Sequence, residues 1–276
     1  MGDVLFTVDK QEVVTGGCIT LIINRPLAEA RSYRLAVNDA PPMIVVNSLG
    51  PTLPDEGRTL VLLSHQLHTP DGFEVDADDR SIVHMVPLFD EPGTVRLTLL
   101  SEKGKIGTEV VTVRACDEEA IPAMRLMFPP LLAGQGVRDA RDATWVQFLL
   151  ASSDTGSAPS ESHLQQLHDE LPIVKKHPDW AEICEMRLAR IDAFRYLSNR
   201  ETELEVSARD FGPDAVPAES PLPESVAQAL KSDLTSAFAK AIQGQIRSRV
   251  EGHKLLLRHW RGEPLIVPSR PPETKP

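Results

Sequence analysis

Cysteine is scarce in this chain: three in 276 residues, at positions 18, 116 and 184. Widely spaced and odd in number, they form no CxxC pair and no disulfide framework, which points to a reducing, cytoplasmic setting. Aromatic residues make up only 5% of the chain. No stretch approaches the roughly 18–20 consecutive apolar residues that a membrane-crossing helix needs, so no membrane partner is expected. The opening MGDVLFTVDK has no basic segment ahead of a long apolar one, and a secretory signal is not expected there. Phe6 stands where a myristoylation site requires Ser or Thr. Nucleophile and phosphate-cradling motifs are missing as well: there is no G-x-S-x-G, no H-E-x-x-H and no P-loop. Gly134-Gln135-Gly136 begins like a dinucleotide fingerprint but lacks its third glycine and a preceding βαβ pattern. No catalytic residue, cofactor or metal ligand is therefore assigned from sequence.

Positive charge is also short. The formal net charge is −11, which argues against indiscriminate binding to nucleic acid or anionic lipid. The deficit is uneven. From Lys240 onwards eight Lys and Arg stand against three Glu, a local +5, which leaves −16 for residues 1–239. Proline, by contrast, is plentiful: 23 residues, many lying between periodic segments, as expected for elements joined by stiff connections.

Residues 1–116 read as β. Runs rich in Val, Ile, Leu and Thr, such as Val4–Val8, Cys18–Asn24, Leu60–Ser64, Thr94–Leu100 and Glu109–Arg114, alternate with turn residues such as Gly16-Gly17, Pro41-Pro42 and Glu91-Pro92-Gly93. In Thr94–Leu100, Val95, Leu97 and Leu99 oppose Thr94, Arg96 and Thr98, giving one buried and one wet face. Close spacing without helical periodicity suggests a sandwich or barrel. The succession VLFTV, EVVTGG, CITLIINR resembles the start of a bacterial immunoglobulin-type sandwich, over about residues 3–115. It departs from antibody domains in having no Cys–Trp–Cys arrangement, and the first Trp is Trp145. The resemblance implies a fold and no activity.

Residues 117–139 read as an ordered linker and 140–262 as a helical domain. Within the latter, Ala140–Ala151 is expected to form a short helix, and another, capped by Ser162 or Ser160, is expected to run to about Leu171. The clearest periodicity lies in His177–Arg200. Pro178 suits the first helical position, Asp179 and Glu182 suit the positive end of the dipole, and Trp180, Ile183, Cys184, Leu188, Ile191, Phe194 and Leu197 form a wide apolar stripe. Residues 201–222, acidic and then proline-rich, read as a flexible loop. Val226, Leu230, Leu234, Phe238, Ile242, Ile246 and Val250 recur every four residues, which predicts one helix from Pro223 to Trp260, with bends possible at Gly244 and Gly252. Residues 263–276 read as a tail.

Each candidate for chemistry has a plainer explanation. His177-Pro178-Asp179 is the tripeptide of J-domain co-chaperones, but it precedes a helix, where it serves as a cap, and the basic flanking helix of those proteins is absent. Asp71, Glu74, Asp76, Asp78 and Asp79 gather carboxylates as hard cations require, yet without EF-hand spacing, so a solvated turn is the better account. His65, His68 and His84 could approach one another if their strands pair, but residues three apart face opposite sides of a strand. His163 and His168 are five apart, which suits a shared ion poorly. Cys184 falls on an apolar face and reads as a small buried hydrophobe.

The overall expectation is an α+β, multidomain chain, with an N-terminal antiparallel immunoglobulin-like β-sandwich followed by an α-helical C-terminal domain. Its function is read as that of a non-catalytic adaptor or structural subunit in a multiprotein complex. The partner, another protein that is acidic or has an apolar groove, would meet Arg247, Arg249, Lys254, Leu255, Leu256, Leu257, Arg258 and Trp260. One alternative is a small-molecule enzyme or ligand sensor, with a site between sandwich and helices under a lid at 205–222. Another is nucleic-acid binding through the basic helix, where Trp260 and His259 could meet a base.

Overall fold

The computed structural model describes residues 5–38, 40–45, 52–68, 84–127 and 161–264. The 128–139 stretch of the linker, the 140–151 helix, the 71–79 acidic cluster, the Gly134–Gly136 motif and most of the tail lie outside the described residues. The chain divides into two compact units. The first combines residues 1–188 with 233–242, and the second combines 189–232 with 243–276.

The first unit carries the strands β1 (Phe6–Val8), β2 (Glu12–Val14), β3 (Ile19–Ile23), β4 (Arg34–Val37), β5 (Met43–Ile44), β6 (Thr52–Asp55), β7 (Arg58–Leu63), β8 (His65–His68), β9 (His84–Pro87), β10 (Gly93–Ser101) and β11 (Gly104–Arg114). One sheet has the order β1-β3-β7-β6 and the other β2-β11-β10-β4-β5, while β8 and β9 form a separate pair. All pairings are antiparallel except β2 with β11. The arrangement is mostly antiparallel sheet and compatible with a sandwich. Val95, Leu97 and Leu99 are buried as their alternation requires, in one core with Phe6, Leu21, Ile23, Val61 and Leu63 of the first sheet.

Helices dominate the C-terminal part: α1 (Leu27–Ala30) and α2 (Ile121–Met127) precede α3 (Glu161–Val174), α4 (Ala181–Phe211), α5 (Glu224–Ala229) and α6 (Ala237–Trp260). The chain is thus α+β, with N-terminal strands and C-terminal helices. No described helix is long and apolar enough to cross a membrane.

Two helix boundaries differ from the sequence reading. The flexible loop expected from residue 201 is helical to Phe211. Glu, Leu, Ala and Arg in ETELEVSARDF are good helix formers, Leu204 is buried, and only Gly212, at φ 87°, with Pro213 ends the helix. The single helix expected from Pro223 to Trp260 is two, because the chain leaves helix after Ala229 and re-enters at Ala237. Asp233, Thr235 and Ser236 favour caps over helix interiors, and Ser236 Oγ accepts the Ala239 N–H at 3.3 Å. The four-residue stripe passes straight through the break. Leu234 and Phe238 are both buried although only Phe238 is helical, so burial periodicity alone could not reveal it.

The second unit has a small core of Leu204, Val216 and Leu257, with Ala208 and Trp260 packed against it. The turn after α5 is closed by Gln243, whose side-chain amide donates to the carbonyls of Ala229 (2.7 Å) and Ser232 (3.0 Å).

Candidate functional site

Polar chemistry concentrates in two places, one in each unit. In the first unit the segment His177–Trp180, just ahead of α4, grips the turn between β2 and β3. Trp180 is buried and its indole N–H donates to the Gly16 carbonyl at 2.9 Å. Asp179 accepts the Val14 N–H at 2.8 Å and pairs with the Lys10 ammonium, while its own carbonyl faces the Cys18 thiol at 3.1 Å. His177, fully buried, has Nε2 3.1 Å from the Thr15 carbonyl and accepts the Asp179 N–H on Nδ1 at 3.3 Å. Its backbone carbonyl also receives the N–H groups of Trp180 and Ala181. His177 therefore closes the turn that leads into α4, and Pro178 lies within that turn, ahead of the first helical residue Ala181 and not at the first helical position read from the sequence, while Asp179 serves the sheet rather than the helix dipole.

The turn is shaped for this contact. Gly16 lies at φ 75°, and a β-carbon there would strike Met124. At Gly17 a β-carbon would fall on the Asp179 carboxylate and within 2.7 Å of the Val14 carbonyl oxygen.

A second set of bonds in this unit fixes the start of α6. The Glu182 carboxylate accepts from the Thr235 N–H (2.9 and 3.0 Å), the Thr235 hydroxyl (2.9 Å) and the Ser236 N–H (2.9 Å). Asp9 accepts the Ala237 N–H at 3.1 Å and the Thr20 hydroxyl faces the Phe238 N–H at 3.3 Å. The first amides of a helix have no partner within it, and here distant carboxylates and a strand hydroxyl supply one. Arg187, buried, lies over the Phe238 ring, 5.4 Å from its centre.

A cysteine, a histidine and an aspartate meet at this clasp, but not as a nucleophilic triad. Burial pushes the Cys18 thiol well above its ordinary range, and burial pushes Cys184 up to about 12, so neither is a thiolate near neutrality. Cys184 is fully buried on the apolar face of α4. Both nitrogens of His177 are spent on the main chain. The arrangement fastens; it does not activate.

The second place is α6 within the second unit. Arg249 forms a bidentate pair with Glu201, at 2.6 Å on both oxygens, and lies 5.8 Å from the centre of the Phe194 ring. His253, buried, has Nδ1 3.0 Å from a Glu201 oxygen. Burial tends to raise the Glu201 carboxyl, but hydrogen bonds from Arg249 and His253 outweigh it and hold it below the usual range. The residues expected to meet a partner thus separate. Arg249 and Leu257 are engaged inside the unit, and Trp260 is half-buried. Arg247, Lys254, Leu255, Leu256 and Arg258 face solvent, with Leu255 46% and Leu256 36% exposed. Lys254 pairs with Glu251 at 2.7 Å.

Strand register places His68 opposite His84 and His65 opposite Pro87, so two of the three histidines singled out are cross-strand neighbours. Among the described residues no group of three or more His, Cys, Asp or Glu is arranged to hold a metal ion. Lys10, Asp9 and Thr20 carried no recognisable signal for these contacts and Glu182 was read only as a helix-dipole residue, since the groups they hold in the clasp and at the start of α6 lie 53 to 228 residues away in sequence.

Known proteins offer little to set beside this geometry. No family model matches the chain, and no curated protein matches it. Among solved structures a polysaccharide lyase aligns with 92% of this chain at 13% identity and a TM-score of 0.23, and the chain spans 40% of that lyase's length. A likeness at that score informs neither fold nor activity.

Proposed function

We propose that this protein is a non-catalytic interaction subunit, built on an immunoglobulin-type sandwich and contacting its partner through α6. The sandwich reading is supported by strand order. β1-β3-β7-β6 follows the A-B-E-D sheet of that fold, and β2-β11-β10-β4-β5 follows a G-F-C sheet extended by one strand at each side. The β8/β9 pair is then an insertion between strands E and F.

The observation that carries the interaction reading is the outer face of α6. Arg247, Glu251, Lys254, Leu255 and Arg258 recur at three- and four-residue steps and all face solvent, with Leu256 beside them. Adjacent exposed leucines framed by three cations suit an acidic protein surface with an apolar floor, where buried leucines supply affinity and rim cations supply steering. Arg249, consumed by Glu201, is unavailable to a phosphate, which weakens the nucleic-acid alternative.

The test is affinity capture by the whole chain from its native lysate, followed by light scattering of what is captured. A stoichiometric protein complex is expected, weakened by salt and reduced at least tenfold by the paired changes Leu255→Asp and Arg258→Glu, with thermal melting unchanged. A chain that stays monomeric and captures nothing, or whose complex ignores both changes, overturns the reading.

A further inference from the structure

The His177 ring sits where both of its nitrogens do structural work. Nδ1 accepts the N–H of Asp179, so it carries no proton, and the remaining proton is on Nε2, directed at the Thr15 carbonyl. Only one neutral tautomer satisfies both bonds. A second proton would place a donor at Nδ1 against the donating amide of Asp179, in a site with no solvent to absorb the conflict.

We propose that His177 is an acid-sensitive fastener, which holds the β2–β3 turn on the His177–Trp180 segment when neutral and releases it when protonated. The charged neighbours do not prevent this. Asp179, from the ring's own segment, favours a charged ring, while Lys10, from the β1–β2 connection, opposes it, and these two are paired with each other. The thiols near that pair, Cys18 at the head of β3 and Cys116 after β11, are both shifted upwards by burial and stay uncharged. Burial is left as the deciding influence and lowers the ring's affinity for a proton, against the smaller pull of the Thr15 carbonyl. A histidine lowered in the folded state contributes stability in full above its ordinary value near 6.5 and loses it as pH falls below that. Trp180, bonded to the adjacent carbonyl of the same turn, reports the release.

The experiment is a titration of the uniformly nitrogen-15-labelled whole chain by NMR from pH 8 to 5, following the His177 ring and the Trp180 indole N–H. The expected result is the Nε2–H tautomer at pH 8, then a change in both signals at one midpoint below 6.5 while the sheet amides keep their shifts. A His177 that titrates at or above 6.5, shows the other tautomer, or protonates without moving Trp180 overturns the proposal. His177→Asn, which keeps an acceptor near the Nδ1 position, supplies a second measurement. Below pH 6.5 the wild-type unfolding constant should rise relative to this variant by up to about tenfold per pH unit, the limit for one proton. Parallel curves for the two folded chains would equally refute it, and if the variant does not fold the wild-type titration decides alone.

Discussion

Gly17 has no room for a side chain. Its β-carbon would meet the Val14 carbonyl oxygen, the Val13 side chain and the Asp179 carboxylate together, and the two nearest protein groups cannot both retreat without opening the turn. Gly17→Ala should destabilise the first unit by about 1–3 kcal/mol, as overpacking does, measured as a lower urea midpoint with unchanged slope. Trp180→Phe keeps most of the apolar bulk and removes the bond to Gly16; a loss of about 1–3 kcal/mol is expected, and a neutral result would mean that the indole N–H contributes nothing. In the second unit Arg249→Ala leaves Glu201 with His253 in place of its bidentate partner. Breaking a buried pair costs roughly 3–5 kcal/mol, and because both side chains keep some exposure about 1–3 kcal/mol is the better expectation. The sign with pH follows from the lowered carboxyl. Its contribution is complete above the ordinary value of about 4.3 and fades as pH falls through the lower folded value. Acid unfolding of the Arg249→Ala chain should therefore show a flatter stability curve between pH 5 and 3 than wild type.

At the scale of elements, what the sequence disclosed was what is local. The alternation in β10, the glycine turn after β2 and the apolar stripe of α4 depend on residues within a few positions of one another, and each is present where the pattern placed it. Phe194 is a partial exception, being 36% exposed on a stripe otherwise buried, with Arg190 and Arg249 both over its ring. The ends of elements were less legible. Residues 201–211 looked like loop because they are acidic, yet helix propensity and one buried leucine suffice to continue α4. The start of α6 rests on Glu182, Asp9 and Thr20, and no window of the sequence contains those residues together with Ala237. Glu182→Ala should cost about 1–2 kcal/mol by removing four acceptor contacts at once, and Glu182→Gln should recover part of it. Amide exchange at Thr235 and Ser236 would localise the effect; protection unchanged in Glu182→Ala would show that other groups hold this helix start.

For the whole molecule, the first unit is discontinuous in sequence. Its sheets are complete by residue 114, but Trp180 and Phe238 are among its largest fully buried side chains. A chain ending at residue 127 should therefore expose apolar surface, bind a hydrophobic dye and melt without a cooperative transition. A fragment that melts cooperatively at the temperature of the intact protein would show that the strands need no later residues. The solvent-facing side of α6 was legible only in part, because the charge excess after Lys240 locates the helix but does not separate Arg249, turned inward, from Arg247 and Arg258, turned outward. That distinction depends on Glu201, and pairing across half a hundred residues leaves no mark in composition.

The bond from the Ala237 N–H to Asp9 also sets an order of events during synthesis. It joins residues 228 apart, so at a ribosomal rate of about 5–20 residues per second the acceptor waits roughly 10–50 s for its donor. Within that interval the β2–β3 turn stays uncovered on the nascent chain until His177 and Trp180 emerge, and the Thr20 face until Phe238 does. Whatever guards those surfaces in the meantime, the segment that carries Ala237 and Phe238 closes a unit begun by strands made long before it.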